Sequence, residues 1–291
     1  MTLLKAIIMG IIQGIAEFLP ISSSGHLAIM KHILKIELET GLLFDVLLHI
    51  GTLVAIFIAF WKDIKKLIIE GFSIVGDFFI NIFIAIKNLF IKDKTIYKKM
   101  VTTPYRRFVM LVIVSTIPTG IIGYSFKNII VNASETLIVP GIFLIITGAL
   151  MLVADNVKLG SKDESNTSYL DAIIVGVSQG LATMPGLSRS GSTITSGLLC
   201  GFDKMFAVKY SFIMSIPAII GAALLEVKDI TNSSITSNEA MYYFIGMVIS
   251  AVVGYICIKT MLVVVRGKKF KYFAYYCFAV GSIAIIANFI I

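Results

Sequence analysis

The chain has 291 residues, of which 57% are hydrophobic and only 14% charged. A soluble domain of this length needs roughly a quarter charged residues to cover its surface. A disordered chain, a nucleic-acid binder and a disulfide-stapled secreted domain are therefore excluded, and an integral membrane protein is expected. The 25 Lys and Arg against 17 Asp and Glu leave a net charge of +8, which in a membrane protein marks its cytoplasmic loops.

In chain order, residues 2–19 are apolar but run into Pro20 and the cluster Ser22-Ser23-Ser24-Gly25, after which a short apolar segment resumes to about 35. The opening resembles a signal peptide but lacks a small-x-small cleavage site, so it is expected to stay in the mature protein. Apolar stretches near the spanning length of about 20 residues follow at 42–60, 105–126 and 137–154. Between the first two, residues 64–91 are apolar, flanked by lysines and interrupted by Glu70, Asp77 and Asn81. That is the pattern of an amphipathic helix on the cytoplasmic interface. Residues 169–184 repeat the opening: an apolar run breaks at Pro185-Gly186 and Ser188-Arg189-Ser190-Gly191, then resumes to about 201. Three more spans follow at 206–227, 240–264 and 272–291. Cys200, Cys257 and Cys277 lie in apolar runs and read as packing residues. Trp61, Tyr242, Tyr243, Tyr272, Tyr275 and Tyr276 read as interfacial anchors.

The two broken segments are copies. Gly10, Gln13, Gly14 and Ala16 fall on Gly176, Gln179, Gly180 and Ala182, and Ser22, Ser24 and Gly25 on Ser188, Ser190 and Gly191, each 166 residues on. Interrupted segments at matching places in two halves predict re-entrant helix pairs at a binding site. The lysine-rich stretches 61–107 and 259–271 belong in the cytoplasm. The nearly neutral 127–136 and 228–239 loops belong outside, and parity puts 155–168 inside. The expected fold is an all-α integral membrane protein with an inverted-topology repeat, each half a re-entrant helix pair plus three transmembrane helices. It forms a single membrane domain, with repeat one over 1–156, including a cytoplasmic interfacial insertion at 61–104, and repeat two over 169–291.

Chemistry gathers at the breaks. Gln13 and Glu17 share one helix face, and Pro20 ends that helix. Ser22, Ser23 and Ser24 stand where a new helix begins, with His26 on its first turn. A carboxylate inside a membrane segment is costly and therefore a functional candidate; the competing structural role for Glu17 is as partner of Arg189. The second break, Pro185 to Thr193, again joins hydroxyls, glycines and a helix start, and adds an arginine. Helix N-termini favour anions, and a guanidinium fork suits phosphate oxygens. A pocket with two helix starts, an arginine, a carboxylate and a histidine inside a membrane suits a lipid phosphate. His49, one turn after Asp45, is a candidate support, and His32 beside Lys31 belongs at an interface. No GxxxxGK[ST] loop, HExxH motif or CxxC pair is present.

The combination resembles the undecaprenyl-diphosphate phosphatase family, also called the bacitracin-resistance protein family. The matching pieces are the [E/Q]xxxE motif at Gln13 and Glu17, the FLPISSSGH run from Phe18 to His26, and PGxSRSGxT from Pro185 to Thr193. The resemblance implies hydrolysis of undecaprenyl diphosphate to the monophosphate, recycling of the cell-wall carrier lipid, and bacitracin resistance. It implies a multi-pass protein of the bacterial cell membrane with its active site facing outside. It also implies a divalent metal ion, magnesium or calcium, bound at Gln13 and Glu17. Carried over, Glu17, Ser23, His26 and Arg189 are the catalytic candidates, the nucleophile being Ser23, His26 or a water. Ser22, Ser24, Gly25, Ser188, Ser190, Gly191 and Thr193 are the phosphate-binding candidates. Gln13 stands where a glutamate is also permitted, which halves the local negative charge. The implied partner is the polyprenyl diphosphate lipid, with a homodimer as a candidate assembly and no nucleic acid. The alternative is a polyprenyl-phosphate transporter or flippase using the same anion pocket, since inverted repeats with broken helices are a transporter architecture.

Overall fold

A computed structural model describes residues 1–36, 38–91, 93–133, 136–158, 160–227, 236–267 and 269–290. Most of the neutral 228–239 stretch, together with Lys92 and Lys268, lies outside them. Among the described residues the structure is helical, with one isolated bridge between Lys162 and Phe202. The first broken pair is α1 (Leu3–Phe18) and α2 (Ser23–Leu34). It is followed by α3 (Leu38–Ala59), α4 (Trp61–Phe90), α5 (Pro104–Ser125), the short α6 (Lys127–Ala133) and α7 (Ile138–Asn156). The second pair is α8 (Tyr169–Leu181) and α9 (Arg189–Leu199), followed by α10 (Lys204–Val227), α11 (Ser237–Arg266) and α12 (Phe270–Ala287).

The chain is an integral membrane protein: α4, α5, α7, α10, α11 and α12 are each long and apolar enough to cross a bilayer. α3 contributes the shorter apolar stretch Leu43–Ala59. By length and apolarity alone α4 also qualifies, although its sequence pattern is interfacial. Part of the neutral 127–136 loop coils into α6, because a helical turn satisfies backbone groups locally, as in the Ile130 N–H bond to the Phe126 carbonyl at 2.9 Å.

Both broken pairs return to the side from which they enter. At the outer end of the first, Lys5 Nζ donates to the Lys35 carbonyl at 3.5 Å. At the outer end of the second, Lys162 pairs with Asp171 at 2.8 Å through its ammonium, and its backbone N–H bonds the Gly201 carbonyl at 3.0 Å. The two outer ends lie at opposite ends of the bundle. The Met1 ammonium meets Glu239 at the start of α11. Asp155, leading into the Lys162 loop, instead accepts from the Phe270 N–H just beyond the end of α11.

The halves interleave. α1 packs along α11 and α8 along α5, while α7 pairs with α12. The repeated glycines mark these contacts: a Cβ on Gly10 would sit 2.6 Å from the Gly246 carbonyl oxygen, and one on Gly176 only 2.2 Å from that of Ser115. Helices in lipid associate by such close packing at small residues. Phe18, next in chain to Glu17, is fully buried edge-on against Phe212 at 5.4 Å, which anchors the end of α1. Of the tyrosines expected at the interface, Tyr243 is instead buried against Phe44, because α11 turns it toward α3. Cys257 and Cys277 are buried packing residues, whereas Cys200, at the end of α9, is only half-buried.

Candidate active site

The two breaks meet, each helix start held by the same device. Ser22 caps α2 by accepting from the Gly25 N–H at 3.2 Å. Ser188 caps α9 by accepting from the Gly191 N–H at 3.0 Å. The next hydroxyl but one lies beside the cap in both, with Ser22 to Ser24 and Ser188 to Ser190 each 3.3 Å apart. First-turn N–H groups have no partner within their own helix, so two sets of donors converge. The breaks also clasp one another. The Gly186 N–H donates to Ser24 Oγ, and Ser190 Oγ donates to the Leu19 carbonyl, both at 3.4 Å. A Cβ on Gly25 would come within 2.9 Å of Gly186 Cα.

Each break carries a residue with positive φ. Ser22 adopts φ 71°, a left-handed value uncommon for a residue with a side chain. His26 braces it: Nδ1 donates to the Ser22 carbonyl at 2.7 Å, and Nε2 hydrogen-bonds the Tyr276 hydroxyl at 2.8 Å. In the other break Gly186 has φ +93°. Thr147 of α7 holds that break, donating its hydroxyl to the Gly186 carbonyl at 3.0 Å and accepting the Ser188 N–H at 2.9 Å.

Glu17 is the centre of the site and is buried. Its Oε1 accepts from Arg189 Nη2 at 2.5 Å, and its Oε2 from Ser23 Oγ at 2.6 Å and Gln13 Nε2 at 3.0 Å. Gln13 Nε2 also donates to His49 Nδ1 at 2.9 Å, and that nitrogen lies 3.7 Å from Glu17. The ion pair with Arg189 is thus real, and it is also part of a larger network. Two atoms of this network are buried with no partner in the protein: Gln13 Oε1 and Arg189 Nη1. A buried polar atom left unpaired costs about 1–3 kcal/mol, more for a charged group, so both point to something the site binds. Among the described residues no three His, Cys, Asp or Glu gather to hold a metal. The donors here are one carboxylate, one free amide oxygen and hydroxyls. Such a set fits a hard cation shared with substrate phosphates and water, and does not by itself make an all-protein cage.

The structure brings Gln13, Glu17, Ser23, Arg189 and the cap serines together. Ser23 hydrogen-bonds Glu17, while His26 is turned to Ser22 and Tyr276. Thr193 is not among them: its hydroxyl bonds the Arg189 carbonyl and lies 2.6 Å from Ser211 Oγ of α10. Asp45 pairs with Lys31 and not with His49. Sequence reading missed two residues that hold the candidate site in place. Thr147 carried no signal, since one threonine in an apolar helix is unremarkable. Tyr276 looked like an interfacial anchor, and only the packing of α12 puts its hydroxyl on His26. Tyr276→Phe removes one hydrogen bond worth about 1 kcal/mol. The expected result is a roughly fivefold fall in kcat with KM little changed, measured in steady-state assays.

Comparison with known proteins covers nearly the whole chain. A family model described as bacitracin resistance protein BacA matches residues 6–283. A protein of Methanosphaera stadtmanae named undecaprenyl-diphosphatase is 43% identical over 289 residues, 99% of each chain. Proteins of the same name from Alkaliphilus metalliredigens and Carboxydothermus hydrogenoformans are 40% identical over 286 residues and 37% identical over 279. The first covers 98% of each chain, the second 95% of this chain and 94% of its own.

Proposed function

Because the chain belongs to the bacitracin resistance protein BacA family, we infer that it hydrolyses undecaprenyl diphosphate to undecaprenyl phosphate and inorganic phosphate. It is a membrane phosphatase that recycles the carrier lipid of cell-wall synthesis and so confers bacitracin resistance. The observation that carries the reading is Arg189, with one guanidinium nitrogen on Glu17 and another buried without a partner, between two helix starts. That arrangement suits the terminal phosphate of a lipid diphosphate.

Phosphoryl transfer is catalysed mainly by positioning and by neutralising charge as it develops on the phosphate oxygens. Arg189 Nη1 and the first-turn N–H groups of α2 and α9 do this. Ser23 Oγ attacks the terminal phosphorus and gives its proton to Glu17 Oε2, already 2.6 Å away. The bond from that phosphorus to the bridging oxygen breaks, and the lipid monophosphate leaves. Water then hydrolyses the phosphoserine, and Ser23 recovers its proton. His26 holds the strained Ser22 backbone and, through it, the direction of the neighbouring Ser23. Glu17 and the free Gln13 Oε1 would hold a magnesium or calcium ion with the substrate phosphates; when bound, the ion neutralises phosphate charge. The site opens toward the outside. This is supported by the entry end of α1 and α2 at Met1 and Lys35, opposite the lysine-rich α4 end.

Inorganic phosphate release from a polyprenyl diphosphate by the detergent-solubilised protein tests the reading. Release, and its loss with chelator, is expected; a flippase without hydrolysis releases none. Trapping of labelled phosphate on the protein is expected in wild type and absent in Ser23→Ala. Trapping that survives in Ser23→Ala and disappears in His26→Ala would move the nucleophile to His26.

A further inference from the structure

α4 is 30 residues long, about 45 Å of helix, and its polar and apolar residues form two stripes. Asp63, Glu70, Asp77, Asn81 and Asn88 lie on one face at spacings of seven and four residues. Each finds a partner at one end of the bundle or in the segment that follows α4. Asp63 accepts from the Tyr105 hydroxyl at 2.9 Å and lies 3.5 Å from Lys209 of α10. Arg106 of α5 pairs with Glu70 at 2.8 Å and Asp77 at 2.7 Å. Asn81 exchanges two bonds with the backbone of Lys98, at 2.9 and 2.8 Å, and Asn88 exchanges two with the backbone of Thr95 at the same distances. The segment after α4 therefore doubles back along the polar stripe, uncoiled, and delivers the chain to Pro104 beside the first half of α4. On the opposite face Phe72, Val75, Phe79, Phe83, Ile86 and Phe90 form a continuous ridge, 51–84% exposed.

We propose that α4 and its returning strap form a two-layer paddle that lies along the cytoplasmic face of the bilayer, with the apolar ridge in the acyl-headgroup boundary and the strap toward water. The length and apolarity of α4 would let it cross, but its strap would then have to cross with it. The strap is an extended backbone with Asp93, Lys94, Lys98 and Lys99, and irregular backbone exposed to lipid does not occur in the hydrocarbon region. Charge there adds a further cost. A ridge of this size facing water would be an aggregation site. Lys62, Lys65 and Lys87 of α4 border the ridge and match an anionic lipid surface. The three acidic residues a heptad apart all meet cations at the same end of α5 and α10, which fixes α4 across the helix ends.

Tryptophan depth measurement tests the paddle. Trp61 is the only tryptophan, and it shares the ridge face with positions 72, 79 and 90. In a Trp61→Phe background, Phe72→Trp, Phe79→Trp and Phe90→Trp each place one reporter on that ridge, while the wild type reports position 61. The protein is reconstituted in nanodiscs containing lipids brominated at shallow or deep acyl positions. The expected result is preferential quenching by shallow bromines, to a similar extent at all four positions. A depth that runs through the bilayer centre along the helix would overturn the proposal in favour of a crossing. No lipid quenching at any position would overturn it in favour of a protein partner or a second copy on the ridge.

Discussion

Arg189→Ala is expected to lower kcat/KM for phosphate release by about a thousandfold, the upper range for removing one preorganised donor to a developing oxyanion. The same change leaves Glu17 buried with an uncompensated charge, which costs about 3–5 kcal/mol when one partner of a buried pair is removed. Activity and stability therefore fall together, and the two effects need separating. Glu17→Gln with Arg189→Ala removes both charges, so it is expected to recover most of the lost thermal stability and none of the activity. That non-additivity identifies residues acting as one unit. Arg189→Lys keeps the charge but loses the fork that reaches Glu17 and a phosphate oxygen at once, and should fall between wild type and Arg189→Ala. Steady-state phosphate release and thermal unfolding in detergent measure the set. Arg189→Ala with near-native activity would remove the phosphate clamp from the mechanism.

Gly186→Ala is expected to cost about 4 kcal/mol or more, placing it among the few substitutions of that size. A Cβ there would lie 2.1 Å from the Pro140 carbonyl oxygen, on a backbone with φ +93°. Backbone cannot yield as a flexible side chain would, and the bonds of Gly186 to Ser24 and Thr147 depend on the placement, as does the Ser188 N–H bond to Thr147. Loss of monodisperse protein, or a steep fall in Tm, is the expected reading. Gly120→Ala is the matched control, since nothing lies within 4 Å of its Cβ. Replacing a helical glycine at such a place is neutral or stabilises by up to about 1 kcal/mol. The contrast separates a glycine required by the crossing from one that merely lies in a helix.

The break positions were legible because they violate the rule of their surroundings. Pro20, the serine clusters, Glu17 and Arg189 stand in otherwise unbroken apolar sequence, and each polar group in lipid must have a reason to be there. The repeat was legible too, through Gly10, Gln13 and Ser22 and their counterparts. Sequence alone could not say what those repeated glycines touch. It paired Gly10 with Gly176 without revealing that one meets Gly246 of α11 and the other Ser115 of α5, because interleaving of the halves depends on contacts between residues far apart in the chain.

The same limit applies within the site. The sequence by itself determined a membrane protein with two broken segments, each with a helix start, and a carboxylate and an arginine in apolar surroundings, since hydropathy, capping and charge are local properties. Only the tertiary structure decided which groups pair. It put Ser23 on Glu17, turned His26 to Ser22 and Tyr276, and directed Thr193 away toward α10. It also decided that the polar stripe of α4 is filled by the chain's own strap. The physical reason is that a hydrogen bond is made at about 3 Å and weakens steeply with misalignment, a tolerance set by the packing of whole helices and not by the spacing of letters.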